Sequence, residues 1–303
     1  MEWQQIIGFY NVARLGSFTR AAEATFRTQS ALTQQIRALE NELNCRLFER
    51  IGKRKLILTP AGEKLLVFAE SLLRKYEQVI QEIHEDRGLQ KGRLRIAAPF
   101  TTLYHLMPDV IKMYIERFPS IELSLFDRSQ RDVIELVKRG DVDFGITLES
   151  AVPRELGKIR WKKVESVLLV PRGHPLAKSK TGSRKVSAKQ IARYPLILPP
   201  KTVAFSHRST LEELFRKYNV DYHTIMESSN VELSSVYVEM GLGISFATIA
   251  RDLPAFKNRK VEFISLNHYF KPEYITAIMR KDKALAQFQR AFLETLTGSP
   301  SVP

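Results

Sequence analysis

Residues 17–43 read SFTRAAEATFRTQSALTQQIRALENEL, and their pattern predicts the fold of the N-terminal part of the chain. Ser17 is a natural N-cap for a short, alanine-rich helix over 18–24, and Thr28 can cap a second helix over 29–43. Two helices joined by a short turn, the second of them amphipathic, are typical of a helix-turn-helix, whose second helix enters the major groove of DNA. The pattern therefore predicts a DNA-binding motif.

The second helix has one apolar face and one polar face. The apolar face carries Leu32, Ile36, Leu39 and Leu43 at helical spacing. Gln can pair with adenine, Arg with guanine, and Ser or Thr with bases or phosphates. The predicted readout residues are Gln29, Ser30, Thr33, Gln34 and Arg37. Taken alone, the same segment is also consistent with an ordinary helix of a helical bundle whose polar face is exposed to solvent.

A small hairpin is predicted directly after this helix. Residues 46–50 and 55–59 flank a glycine turn that carries three consecutive basic residues, Lys53, Arg54 and Lys55. A basic tip beside a recognition helix is suited to phosphates or to the minor groove. The segment therefore has the features of a wing.

A long helix is predicted to begin at Thr59-Pro60, where Thr59 is the N-cap and Pro60 the first helical residue. Apolar residues follow at 65, 69, 72, 76, 79 and 83, which is a heptad spacing. This stripe must be buried against something. We expect a second copy of the chain to cover it, which makes a homodimer; burial within its own chain is the alternative.

The composition excludes disordered, collagen-like and membrane-embedded proteins. With 303 residues, 44% hydrophobic and 26% charged, the chain fits an ordinary globular protein of about two domains. The single cysteine suits a reducing compartment, and the sequence shows neither a signal peptide nor a run of 18 apolar residues. We expect a cytoplasmic protein that is neither exported nor membrane-spanning.

The net charge of +14 is unevenly distributed. Residues 1–87 hold 13 Lys and Arg against 11 Asp and Glu, whereas residues 151–193 hold 12 against two. This basic segment fits a solvated surface or an electrostatic contact with DNA or with an anionic ligand. The sequence leaves these alternatives open.

From residue 93 onward, strand-like runs alternate with amphipathic helices. The predicted strands are 94–98, 121–126, 144–147, 164–170, 196–198, 243–246 and 273–279, and the predicted helices are 102–118, 130–139, 209–218, 231–240 and 284–296. This alternation is typical of parallel α/β structure. It predicts two α/β lobes.

Motifs for catalysis, metals and nucleotides are absent from the sequence. The six histidines lack zinc-motif spacing, Gly241-Leu242-Gly243 lacks the third glycine of a dinucleotide fingerprint, and no G-x-S-x-G occurs. We expect no catalytic residue, cofactor or metal. Two rival classes remain, an α/β small-molecule-binding protein such as a solute-binding protein, and an α/β enzyme with a DNA-binding appendage.

Residues 16–23 (GSFTRAAE), 29–40 (QSALTQQIRALE), 47–50 (LFER) and 58–62 (LTPAG) resemble the signature of the LysR-type transcriptional regulators. Ser30 departs from a common proline and Asn44-Cys45 from a common Gly-Val; we expect Asn44 to be a left-handed cap and Cys45 to pack in a small core. The resemblance places the helix-turn-helix at about 18–37, which adds Phe18, Thr19, Arg20 and Thr28 to the DNA-binding residues.

The resemblance also implies a domain organisation. It comprises a winged helix-turn-helix at 1–60, a dimerising linker helix at 61–87 and an effector-binding domain at 88–303 like periplasmic binding proteins. Lobe one would span about 88–163 plus 268–303 and lobe two about 164–267. The implied protein is a homodimer, assembled into a homotetramer of two dimers, that binds specific double-stranded DNA under control of a small-molecule effector.

Ligands in this family approach the N-terminus of the first helix of lobe one. Thr101 and Thr102 there offer hydroxyls and backbone amides that suit a carboxylate or a similar anion. Residues expected to face them are Thr147, Lys201, Thr202 and Phe246, the last as an apolar wall. Purely structural capping by the two threonines and an outward-facing Lys201 remain alternatives.

Overall fold

The computed structural model describes residues 1–51, 55–86, 92–177, 185–201, 207–228, 230–250 and 259–299. The chain divides into two compact units, Met1–Arg87 and Gly88–Pro303.

The N-terminal unit is helical with one hairpin. Its elements are α1 (Trp3–Leu15), α2 (Phe18–Ala24), α3 (Gln29–Glu42), β1 (Phe48–Ile51), β2 (Lys55–Leu58) and α4 (Pro60–Asp86). Strands β1 and β2 pair antiparallel, with Phe48 opposite Leu58 and Ile51 opposite Lys55. The predicted helix-turn-helix, hairpin and long helix are therefore confirmed.

The turns of this unit follow from local side-chain chemistry. The hydroxyl of Ser17 accepts a hydrogen bond from the Arg20 amide, and that of Thr28 accepts one from the Ala31 amide. Thr59 caps α4 by accepting from the Gly62 amide at 3.0 Å. Asn44 closes α3 with φ at 47°, the left-handed conformation expected of it. These bonds satisfy amides that the first turn of a helix leaves without partners.

The apolar faces of α1 and α3 meet in the core of this unit. Phe9 and Leu39 are fully buried there, and Ala69 from the first half of α4 joins them. Cys45 packs against the same cluster, as expected. Leu43 differs from its prediction: it ends α3 and is 39% exposed.

The hairpin is held to α3 by one carboxylate. Glu40 accepts from the amides of Leu47 and Phe48 at 2.7 and 3.4 Å. The start of α4 lies equally close to this segment, because a Cβ on Gly62 would overlap the Leu47 carbonyl oxygen. The wing and α4 are thus fixed relative to the recognition helix.

The C-terminal unit is built on a nine-stranded sheet with helices packed on it. Its strands are β3 (Gly92–Ala98), β4 (Ile121–Asp127), β5 (Phe144–Leu148), β6 (Leu156–Pro171), β7 (Leu196–Leu198), β8 (Thr224–Glu227), β9 (Ile244–Ile249), β10 (Val261–Ser265) and β11 (Glu273–Arg280). Its helices are α5 (Phe100–His105), α6 (Pro108–Arg117), α7 (Gln130–Arg139), α8 (Ala188–Ile191), α9 (His207–Lys217), α10 (Val231–Glu239) and α11 (Gln287–Thr297).

One long strand, β6, runs through both lobes of this unit. The strand order is β4-β3-β5-β11-β6-β9-β7-β8, and β10 also pairs with β6. Along β6, Val164 pairs with Glu273 of β11, whereas the next residue, Glu165, pairs with Ile249 of β9. Lobe one therefore contains β3, β4, β5 and β11, lobe two contains β7 to β10, and β6 changes partners between Val164 and Glu165.

The sequence prediction was wrong at several elements of this unit. The helix expected over 102–118 is two helices, because Pro108 has no amide hydrogen and its ring prevents a helix from continuing through it. Strand β6 begins eight residues before the predicted 164. Strands β8 and β10 and the short helix α8 were not predicted.

A buried carboxylate connects three segments of lobe one. Asp143 is 4% exposed and accepts from the Arg95 amide at 2.7 Å, the Lys283 ammonium at 2.6 Å and the Gln289 amide group at 3.2 Å. Burial alone would raise the pKa of Asp143, but the charges of Lys283 and Arg95 and the hydrogen bonds outweigh it and lower the pKa. The start of α11 is thereby tied to β3.

Candidate DNA interface and effector site

The predicted readout residues share one surface of α3. Gln29, Ser30, Gln34 and Arg37 are exposed and Thr33 is half-buried. All five line one shallow surface depression. The opposite side of α3 is buried through Leu32, Ile36 and Leu39, so the polar residues face outward because the apolar residues face the core.

Hydrogen bonds orient the start of this polar surface. The Thr19 hydroxyl, on α2, donates to the Gln29 side-chain oxygen at 3.2 Å. An amide oxygen has two lone pairs, so Gln29 can still accept a hydrogen bond from an adenine amino group. The hydroxyls of Thr28 and Ser30 lie 3.1 Å apart, and Thr33 donates to the Gln29 carbonyl at 2.8 Å. The first turn of α3 is therefore pre-organised.

Arg27 was not identified from the sequence. Its guanidinium donates to the side-chain oxygen of Gln35 at 2.7 Å and to that of Gln4 at 2.6 Å. These bonds connect the turn before α3 to both α1 and α3. No sequence signal marks this role, because the three residues are brought together only by the packing of the helices.

The other predicted DNA-binding residues have different surroundings. Thr19, Arg20 and Thr28 are exposed, whereas Phe18 is half-buried and packs edge-on against Phe48 at 5.8 Å. Lys53 and Arg54 lie outside the described residues, and Lys55 begins β2. The assignment of all these residues to DNA stays a prediction.

Most of the predicted effector residues lie at or near the carboxyl ends of strands in their own lobes. Thr101 and Thr102 follow β3, Thr147 is near the end of β5, and Lys201 follows β7. β3 and β5 are parallel to each other, and β7 is parallel to β8 and β9. Ligands of α/β proteins bind at the carboxyl ends of such strands. Lys201 is exposed, and Thr202 lies outside the described residues.

The buried members of this group contact their own lobes. Thr102 is 7% and Thr147 2% exposed, and the Thr147 hydroxyl donates to the Gln130 side-chain oxygen at 3.4 Å. Phe246 is 5% exposed and packs edge-on against Phe270 in the core of lobe two. Its predicted contact with a ligand is limited to that small exposed fraction.

Thr101 makes a contact that the sequence did not suggest. Its hydroxyl donates to the Glu232 carboxylate, in the first turn of α10, at 3.2 Å. The His105 Nε2 atom lies 2.7 Å from the other oxygen of Glu232, without the alignment of a hydrogen bond. Glu232 belongs to lobe two and the other two residues to lobe one. A separation of more than 120 residues hides this contact from sequence patterns.

Part of the basic segment 151–193 is neutralised locally. Lys158 and Arg160, on β6, each lie 2.8 Å from a carboxylate oxygen of Glu149, and the Arg160 guanidinium lies over the Tyr274 ring at 4.6 Å. The hydrogen bonds from Arg160 and Lys158 lower the pKa of Glu149. The two ion pairs with Glu149 reduce the uncompensated positive charge along β6.

Across the described ranges, no group of three or more His, Cys, Asp and Glu residues could hold a metal ion. None of the helices in those ranges is long and apolar enough to cross a membrane.

Both units of the chain match known families. Residues 3–63 match the family of bacterial regulatory helix-turn-helix proteins of the lysR family, and residues 87–300 match the LysR substrate binding domain. The second match covers more than half of the chain. This chain therefore belongs to the LysR family of transcriptional regulators and combines a helix-turn-helix DNA-binding domain with an effector-binding domain.

Curated relatives match over most of their length. The HTH-type transcriptional regulator cbl of Escherichia coli K12 is 28% identical over 306 residues, which covers 100% of this chain and 94% of that protein. The HTH-type transcriptional regulator CysB of Haemophilus influenzae is 27% identical and covers 91% of this chain and 83% of that protein. Both are named as transcriptional regulators.

Solved structures have the same fold. The LysR family regulator CbnR has a TM-score of 0.60 at 21% identity and covers 100% of both chains. The cofactor-binding domain of Cbl has a TM-score of 0.60 at 23% identity and covers 70% of this chain and 90% of that one. The α/β architecture with an N-terminal helix-turn-helix is thus shared.

Proposed function

We propose that this regulator reads DNA with the exposed polar surface of α3. The observation that carries the proposal is the single depression formed by Gln29, Ser30, Thr33, Gln34 and Arg37. Thr19, Arg20, Thr28 and the basic wing residues Lys53, Arg54 and Lys55 would contact phosphates beside it, while Phe18 would position α2 by its packing on Phe48.

Removing a readout side chain is expected to weaken specific binding more than general binding. Gln29→Ala or Arg37→Ala should each cost about 1 to 3 kcal/mol on the preferred duplex, because a bidentate contact to one base is lost. The preferred duplex is first selected with the purified chain from random sequences. Fluorescence anisotropy then compares it with a shuffled duplex at fixed salt concentration.

Arg290→Ala is the matched control for this test, because Arg290 is an exposed arginine of α11 in the other unit. It should leave the ratio of the two affinities unchanged. If both readout variants keep that ratio as well, the assignment of α3 to base recognition is wrong.

Helix α4 would join two copies of the chain, in the role of the linker helix expected at 61–87. The first half of its apolar stripe packs in its own unit through Leu65 and Ala69, whereas Val79 is 51% and Ile83 43% exposed. Exposed apolar residues at heptad spacing favour a second helix as their cover. The proposed assembly is a homodimer, which in pairs forms a homotetramer acting in the cytoplasm, where chromosomal DNA lies.

The effector would bind between the lobes, beside Thr101, Thr102 and Thr147 and near Lys201, Thr202 and Phe246. An anion is the favoured class, because hydroxyls and helix amides at α5 and the exposed ammonium of Lys201 donate hydrogen bonds or carry positive charge. An effector that prefers one lobe arrangement would shift the equilibrium between arrangements and thereby change DNA binding.

A set of small carboxylates and other oxyanions tests this site by thermal unfolding. A bound compound raises the unfolding temperature by mass action, and Thr102→Val should abolish that rise because it removes a hydroxyl while keeping the side-chain shape. Thr295→Val, on α11, is the control, since its hydroxyl donates to the Ala291 carbonyl of its own helix. Stabilisation that survives Thr102→Val would move the site elsewhere.

We propose that the domain binds its effector without converting it. The support is that the chain matches transcriptional regulators over nearly its whole length. Mass spectrometry of a stabilising compound, before and after incubation with the protein, tests this. Turnover of the compound would favour the alternative of an α/β enzyme carrying a DNA-binding appendage.

A further inference from the structure

Besides the polypeptide and an apolar core whose buried residues come from both lobes, one described carboxylate makes polar contacts across the lobes. Glu232 of lobe two accepts from the Thr101 hydroxyl at 3.2 Å and lies 2.7 Å from His105 Nε2, both on α5 of lobe one. The covalent connections between the lobes run elsewhere, through β6 and through the segment that follows β10. The contact between α5 and α10 is therefore an additional, non-covalent connection.

This contact is built into the fold on both sides. The Asn230 side chain caps α10 by accepting from the Leu233 amide at 2.8 Å, and the Ser235 hydroxyl donates to the Glu232 carbonyl at 2.7 Å. The His105 side chain is only 5% exposed and packs edge-on against the Tyr104 ring at 4.8 Å. Glu232 and its partners are thus held in place by their own helices.

Because the Glu232 side chain is largely buried, its contact with α5 matters for the stability of the lobe arrangement. The Glu232 side chain is 20% exposed, so its charge has lost most of its contact with water and depends on the partners that α5 supplies. Opening the lobes would separate the carboxylate from both of them. The contact consequently favours the closed arrangement over an open one.

We propose that Glu232 is a latch between the lobes, which holds them closed through Thr101 and His105 when no effector is bound. The Glu232 carboxylate accepts the hydrogen bond of the Thr101 hydroxyl, the same hydroxyl that the proposed function assigns to the effector. An effector carboxylate that binds Thr101 must displace Glu232, and effector binding is thereby coupled to release of the latch. This second step, the competition, rests on the proposed effector site; the latch itself does not.

Spin labels on the two lobes of the full-length chain test the latch. Arg139 at the end of α7 and Lys189 on α8 are exposed and lie in different lobes, so Arg139→Cys and Lys189→Cys provide the labelling sites in a Cys45→Ala background. Pulsed electron paramagnetic resonance then gives the distribution of distances between the labels.

Glu232→Ala is expected to raise the ratio of open to closed molecules about 5- to 150-fold, the usual range for a coupling of this kind. Glu232→Gln should have a smaller effect, because its amide oxygen still accepts from Thr101. The matched control is Glu239→Ala at the other end of α10, where the carboxylate accepts hydrogen bonds from Arg259 and from the Lys260 amide, both of the same lobe. The Glu239→Ala distribution should equal that of the unmodified chain.

An unchanged distribution in Glu232→Ala, or an equal change in Glu239→Ala, overturns the latch. Should Glu232→Ala fail to fold, Thr101→Val removes the same contact from lobe one. An unchanged distribution in Thr101→Val, or an equal change in Glu239→Ala, then overturns the latch. Sodium acetate, compared with sodium chloride at equal ionic strength, tests the competition separately. Acetate should populate the open form of the unmodified chain; if it does not while Glu232→Ala is open, the latch stands and the proposed carboxylate site is wrong.

Discussion

Val79→Asp combined with Ile83→Asp is expected to separate the two chains that α4 joins, so that the mass of the assembly falls to half. Both side chains are about half exposed on the apolar stripe of α4, where we propose that a second chain covers them. Burying a Val or Ile side chain contributes about 1.5 to 3 kcal/mol. In a two-fold dimer each substitution acts twice, so the dissociation constant should rise about a thousandfold or more.

Sedimentation velocity over a range of concentrations measures this change. Val67→Asp is the matched control, because Val67 is 67% exposed on a different side of the same helix. It should leave the dimer intact. Binding to a duplex with two half-sites should fall in the double variant, since each recognition helix then binds alone. An assembly of unchanged mass in the double variant would assign this association to another surface.

The second large effect is expected at Asp143. Asp143→Ala should lower the free energy of unfolding of the C-terminal unit by about 3 to 5 kcal/mol, because it removes one partner from a buried ion pair. Asp143 receives hydrogen bonds from the Arg95 amide, Lys283 and Gln289. Urea unfolding followed by Trp161 fluorescence in a Trp3→Phe background reports on this unit alone.

Asp282→Ala is the control, because that carboxylate is 66% exposed and pairs with Arg280 at the surface. Its cost should stay within about 1 kcal/mol. Equal costs for the two variants would contradict the importance of the buried pair.

The lowered pKa of Asp143 also predicts how the stability of the C-terminal unit depends on pH. Its pKa is lowered in the folded chain, so the stability that it contributes is complete above its unfolded-state pKa of about 3.9 and is lost as the pH falls through the lowered value. The difference in stability between the unmodified chain and Asp143→Asn should therefore shrink below about pH 4.

Local chemistry made the N-terminal unit predictable. Ser17, Thr28 and Thr59 act within three residues of their own position, so their caps can be recognised from the sequence and are present in the structure. The polar surface of α3 was equally predictable, because 3.6 residues per turn fixes which side chains lie together. Arg27 was not, since its partners come from two other helices.

The C-terminal unit shows where sequence patterns fail. The first half of β6 alternates Lys158, Arg160 and Lys162 with Ile159 and Trp161, a half-buried strand pattern that the density of basic residues obscured. The contacts of Glu232 and Asp143 depend on residues far apart in the chain. Such pairings are set by the topology of the sheet, which local periodicity does not encode.

The continuity of β6 restricts how the lobes can move. A strand that forms backbone ladders on both sides of residues 164 and 165 cannot slide without breaking many hydrogen bonds at once. A small rotation only requires changes in a few dihedral angles where the pairing partner switches. We therefore expect one lobe to move against the other by rotation about this point, so that groups far from it are displaced more than groups near it.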